Sequence, residues 1–220
     1  MLKYNIHDNN FEDWVVFFHG IGGSNKTFDN QIEDFSKEYN LLLIELPWHN
    51  QSPFPHKKIT PQNISEAIKE VLEYNDIKQA HFIALSLGTI VLSHFCTTYP
   101  QYIKSIVLTA SVIEVSPILR TLVTLVYPFK YILPYKFVYN FCVYAVAPQK
   151  TYKKERKMFI DEFDKMPRNN IISWVDYMAH VLYPKRTIEK MNKLYKDNIY
   201  FISGSKDIFF LQGAKMLSKK

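Results

Sequence analysis

The chain has 220 residues, 47% hydrophobic and 22% charged, with a net charge of +6, the balance of a folded protein long enough to bury one full core. Its 27 Lys and Arg are scattered outside residues 150–157 and lack an interleaved basic and aromatic motif, which argues against a nucleic-acid partner. Cys96 and Cys142 are too few and too far apart for a disulfide framework or a metal site, so no metal or cofactor is expected. With no secretory leader readable in "MLKYNIHDNNFED", the expected location is the cytoplasm.

In chain order, "WVVFFHG" (14–20) reads as a buried strand running into a glycine turn. Phe28, Ile32 and Phe35 stand at helical spacing within 27–39, and "LLLIELP" (41–47) is the next strand, stopped by proline. Thr60 before Pro61 marks a helix start, with Ile64, Ile68, Val71 and Leu72 on one face. "AHFIALS" (80–86) is a strand, "LGTIVLSHFCTTYP" (87–100) a helix and "IKSIVLTAS" (103–111) a strand. This alternation predicts an α/β fold with a mainly parallel sheet flanked by helices.

The rhythm stops after residue 111, and 112–196 reads as a helical insertion in a core made of 1–111 and 197–220. Within it, 118–147 is apolar but interrupted by Arg120, Pro128, Lys130, Pro134 and Lys136, short of the roughly 20 clean residues of a membrane span. A weak contact with a membrane surface is the alternative reading of that stretch, beside an ordinary packed helical insertion. "NIYFISGSKD" (198–207) restores a strand and a glycine turn.

Three short stretches carry chemistry. In "ALSLG", Ser86 stands between a strand and a helix, with Ala84 two before it and Gly88 two after. Small neighbours are what a sharp, strained turn requires if it is to expose a nucleophilic hydroxyl. An ordinary helix-capping serine is the competing reading. "HGIGGS" (19–24) follows the first strong strand, so the N–H of Ile21 and that of Leu87, at the helix start, are candidates for holding an oxyanion. A glycine turn with no ligand is the alternative there. Asp207 follows the last strand, at the sheet edge where an acid that orients an imidazole belongs.

These stretches, in this order, resemble the α/β-hydrolase fold family over nearly the whole chain. "LPWHNQS" (46–52) is similar to that family's loop after the next strand, and 112–196 is similar in place to its helical cap. Ala84, Trp48 and Asn50 depart from its usual glycines. The resemblance implies a serine hydrolase acting on a carboxylic ester or thioester with an apolar acyl part, in the manner of an esterase, lysophospholipase or monoacylglycerol lipase. Ser86 would be the nucleophile, Ile21 and Leu87 the oxyanion donors and Asp207 the acid.

The family's last strand and its catalytic histidine are not found before Lys220, so the chain reads as C-terminally truncated. Of the histidines present, His19 is expected to brace the glycine turn, while His49, His56 and His180 sit where they could approach the pocket as a base. An inactive descendant that binds an apolar ligand or a protein partner is the alternative function. A C–C bond hydrolase or a dehalogenase fits less well, since dehalogenases carry Asp where Ser86 stands. Oligomeric state is left open.

Overall fold

The structure, a computed structural model, describes residues 1–112, 121, 124–181, 185–195 and 197–205. Its strands are β1 (Tyr4–His7), β2 (Trp14–Phe18), β3 (Asn40–Ile44), β4 (Ala80–Leu85), β5 (Ile103–Thr109) and β6 (Ile199–Ile202). They form one sheet in the order β1-β3-β2-β4-β5-β6. β1 runs antiparallel to β3, and the other pairings are parallel. The expected α/β architecture is therefore present, with an antiparallel edge strand that the sequence pattern does not announce.

Helices follow the strands: α1 (Asp29–Phe35), α2 (Pro61–Tyr74) and α3 (Leu87–Thr98), then α4 (Tyr135–Val146), α5 (Lys153–Asp164), α6 (Arg168–Val181) and α7 (Lys185–Leu194) between β5 and β6. α2 starts as the sequence predicts. The Thr60 hydroxyl accepts from Asn63 N–H at 3.2 Å and the Asn63 side chain accepts from Thr60 N–H at 2.8 Å, a reciprocal cap with Pro61 in the first turn.

Both faces of the sheet are covered, which is why β3 is buried at every position instead of alternating. Val15, Phe17, Leu41 and Leu43 point to one face, where Phe28 and the α1 residues Ile32 and Phe35 pack on them. Val16, Phe18, Leu42, Ile44 and Phe82 point to the other and meet the inner sides of α2 and α3, Ile64, Ile68, Leu72, Val91 and Phe95 among them. Period-two alternation thus sends neighbouring residues of one strand into two separate cores.

β2 lies between β3 and β4, so the chain leaving β2 turns to one side and the chain leaving β4 to the other. That divergence opens a crevice beyond the carboxyl ends of the two strands, the place where open α/β sheets bind ligands. The "HGIGGS" loop and Ser86 both stand there.

Candidate active site

β4 ends at Leu85 and α3 begins at Leu87, leaving Ser86 alone to make the turn. Its backbone is at φ 50° and ψ −115°, a region that residues with a Cβ avoid. The turn is pinned from both sides. Ser86 N–H donates to Thr109 O at 3.0 Å, and Ser86 O accepts from Thr89 N–H at 2.8 Å and from the Thr89 hydroxyl at 2.6 Å. Ser86 is half-buried, and its Oγ meets no hydrogen-bond partner among the described residues. The hydroxyl is not a helix cap, since no side-chain capping bond is made at α3.

The small neighbours now have a physical reason. A Cβ on Gly88 would stand 2.6 Å from Phe18 O and 2.8 Å from His19 O, both backbone atoms that cannot swing away. A Cβ on Gly20 would stand 3.3 Å from that of Ser86, so the glycine loop lies directly against the serine. Ala84 is fully buried between β2 and β5, paired with Phe18 and Leu108, and its single methyl fits.

The Ile21 and Leu87 N–H groups meet no acceptor among the described residues. Leu87 N–H opens α3, where the free amides of a helix start carry partial positive charge. Gly22 takes φ 66°, which turns the loop, and Gly23 N–H closes it on Gly20 O at 3.0 Å.

The loop is held by two buried histidines. His19 Nε2 accepts from Leu46 N–H at 3.1 Å, which leaves Nδ1 to donate to Gly20 O at 2.8 Å. His49 Nε2 accepts from Gly22 N–H at 3.0 Å while Nδ1 faces Pro47 O at 3.2 Å. Burial, reinforced by His19 nearby, holds the His49 imidazole well below its usual range, so it stays neutral and able to accept. His19 thus braces the turn as expected. His49 does not approach Ser86 as a base, because both of its nitrogens are engaged with backbone.

The other two candidates for the base are not seen at Ser86 either. His180 is exposed on α6 with Nδ1 on Asp176 O at 2.7 Å, and the His56 ring packs on Phe54. No imidazole is hydrogen-bonded to Ser86 Oγ among the described residues. Asp207 lies outside the described residues. β6, the strand preceding it, ends at Ile202 opposite Thr109, on the same sheet edge as Ser86.

The second loop keeps the backbone of the glycines it lacks. Trp48 is at φ 62° and Asn50 at φ 44°, both left-handed. Contacts hold them there: Trp48 packs edge-on against Phe54 at 5.6 Å, and Asn50 Nδ2 donates to Glu45 Oε1 at 2.8 Å. Glu45 is buried and also accepts from Asn25 N–H at 3.1 Å, which ties this loop to the end of the glycine loop.

Two residues that the sequence does not single out reach in from the helices between β5 and β6. The Tyr139 hydroxyl donates to Ile21 O at 2.9 Å, its ring stacked on Phe163 at 3.8 Å. Burial pushes the phenol well above its usual range, so it remains a donor. Trp174, fully buried, donates from Nε1 to Pro47 O at 3.0 Å. A cluster of three or more His, Cys, Asp or Glu able to hold a metal ion is not found among the described residues.

A strained serine between a parallel strand and a helix, beside two free amides, places this turn at the carboxyl edge of an α/β sheet. The sequence model of the alpha/beta hydrolase fold matches residues 13–131, and the chain belongs to that family. A pimeloyl-[acyl-carrier protein] methyl ester esterase of Chromobacterium violaceum is 27% identical over 97 residues, 44% of this chain and 36% of that esterase. A 2-hydroxy-6-oxononadienedioate/2-hydroxy-6-oxononatrienedioate hydrolase of Pseudomonas sp is 31% identical over 114 residues, 49% of this chain and 40% of that hydrolase. The chain thus matches well under half the length of these curated relatives.

Among solved structures, one from work on carboxylesterases of Nitrososphaera gargenis superposes with a TM-score of 0.80 at 17% identity, over 99% of this chain and 81% of that one. An enol-lactonase of Burkholderia xenovorans superposes with a TM-score of 0.74 at 14% identity, over 99% and 94%. At such identities the likeness is one of fold.

Proposed function

We propose that the chain carries the nucleophile and oxyanion site of a serine hydrolase that cleaves a carboxylic ester or thioester. Ser86 Oγ attacks the acyl carbon and the alcohol or thiol leaves. The acyl-enzyme is then hydrolysed. The oxygen that gains charge is held by the Ile21 and Leu87 amides, which no described group occupies. Asp207 orients the histidine that takes the Ser86 proton, and that histidine is none of those seen around the site. The helices α4 to α7, between β5 and β6, form a cap that selects an apolar acyl group.

The observation that carries this reading is the Ser86 backbone at φ 50°, ψ −115° beside Gly20. Strain of this kind is kept where the surroundings impose it, and here it presents a hydroxyl to unused donors. That the curated relatives named above are an esterase and a hydrolase supports the reaction class.

The test is reaction with a fluorophosphonate probe, read by intact mass. One adduct, lost in Ser86→Ala, is expected. An adduct that persists in Ser86→Ala refutes the assignment. A second reading, binding of an apolar ester without turnover, is favoured by the absence of an imidazole on Ser86 Oγ among the described residues. It predicts no adduct, together with retention of a long-chain ester by both wild type and Ser86→Ala.

A further inference from the structure

Tyr131, Ile132, Phe137, Phe141 and Tyr144 are 67, 75, 73, 70 and 55% exposed, a density of bare aromatic and aliphatic surface that folded proteins rarely leave without a use. Phe137, Phe141 and Tyr144 fall at i, i+4 and i+7, one face of α4. The opposite face is already committed: Tyr135 is buried, and Tyr139 lies on the glycine loop and Phe163. α4 is therefore apolar on two sides with only one side packed. No helix among the described residues is long and apolar enough to cross a membrane.

Charge identifies the occupant. Residues 112–196 hold 15 of the 27 Lys and Arg and 7 of the 21 Asp and Glu, a net +8, while the rest of the chain, with 12 and 14, is net −2. Lys150, Lys153 and Lys154 follow α4 directly, are exposed, and pair with no carboxylate among the described residues. Lys150 and Lys153 are held beside the end of the stripe, because Arg156 donates to Ala147 O and Gln149 O at 2.5 and 2.6 Å and covers the Tyr144 ring at 4.8 Å, whereas Lys154 lines a cleft with Lys26, Asp161 and Glu162. A bare aromatic face rimmed by unpaired cations matches the layered chemistry of an anionic lipid surface, apolar below and phosphate above.

We propose that the outer face of α4, with Lys150 and Lys153, docks the protein on an anionic bilayer surface. Resting on the hydrolase reading, this makes the substrate an ester drawn from that surface. The inner face of the same helix reaches Ile21 O through Tyr139, so docking sets the lipid next to the loop that holds the oxyanion amide.

The test uses the full chain and sedimentation with vesicles of phosphatidylcholine alone or with 30 mol% phosphatidylglycerol. Tighter partition to the anionic vesicles, weakened by added salt, is expected. Lys150→Gln/Lys153→Gln should lower it about 25-fold, at about fivefold per lysine. Phe137→Ser/Phe141→Ser should lower it by at least about tenfold with an unchanged melt. The lysine variant changes only exposed side chains and so stands as the test if the double serine variant fails to fold.

Partition that ignores lipid charge or both sets of changes overturns the proposal. So does a wild-type dimer that the serine changes dissociate, which would mean that a second copy covers the face. Ser86→Ala should bind vesicles as wild type does, so failure of docking and failure of the hydrolase reading show in different assays.

Discussion

Ser86→Gly should stabilise the protein while removing the hydroxyl. With a Cβ, φ 50° and ψ −115° cost on the order of 1–3 kcal/mol, and glycine adopts that backbone freely. Against this, glycine makes the unfolded chain more flexible, which costs about 0.5–1 kcal/mol. The side chain itself gives up little, since Oγ has no hydrogen bond among the described residues. The net gain is therefore about 0–2.5 kcal/mol, and at about 2–4 °C per kcal/mol for a chain of this size the melting temperature rises by up to about 10 °C. Ser86→Ala keeps the Cβ and the strain, so it should melt within about 0.5 kcal/mol of wild type. The assay is calorimetry on the three proteins at one pH. Ser86→Gly melting at or below Ser86→Ala would refute the claim that this turn stores strain.

Gly88→Ala places a methyl 2.6 Å from Phe18 O, an overpacking cost of about 1–3 kcal/mol, offset by up to about 1 kcal/mol of helix propensity. A melting temperature lower by several degrees and slower labelling of Ser86 are expected. His49 is held below its usual protonation range in the folded state, so the unfolded chain binds the extra proton. Stability is then complete above about pH 6.5 and declines as pH falls below it, by up to about 1.4 kcal/mol per pH unit for this group. His81 and His94, also lowered by burial, act in the same direction. His49→Gln should flatten part of that slope in urea titrations between about pH 5 and pH 7. Tyr139→Phe keeps the stack on Phe163 and loses the bond to Ile21 O, so a stability loss of about 0.5–1.5 kcal/mol and reduced Ser86 labelling are expected.

Much of this site is legible in sequence because its steric demands are local. Gly88 must be small beside Phe18 O, and the serine between strand and helix needs only its immediate neighbours to be recognised. What escaped has long-range causes. β1 is only four residues, too short for the alternation of Tyr4 and Ile6 with Asn5 and His7 to mark a strand, and its extension comes from pairing with β3. His49 is ambiguous by itself, and only the fold shows that its acceptor is spent on Gly22 N–H, 27 residues back. The boundaries of α4 were hidden because Phe137, Phe141 and Tyr144 on its outer face erase the amphipathic period by which a packed helix is read. Tyr139, one of many tyrosines in an aromatic stretch, gave no local signal for its bond to Ile21 O.

The most direct measurement is a crystal structure of the chain after reaction with a phosphonate. A covalent bond to Ser86 Oγ is expected, with the phosphoryl oxygen about 2.7–3.1 Å from the Ile21 and Leu87 amide nitrogens. An adduct whose oxygen points to solvent, or a Ser86 relaxed to negative φ in an ordinary helix start, would contradict the account.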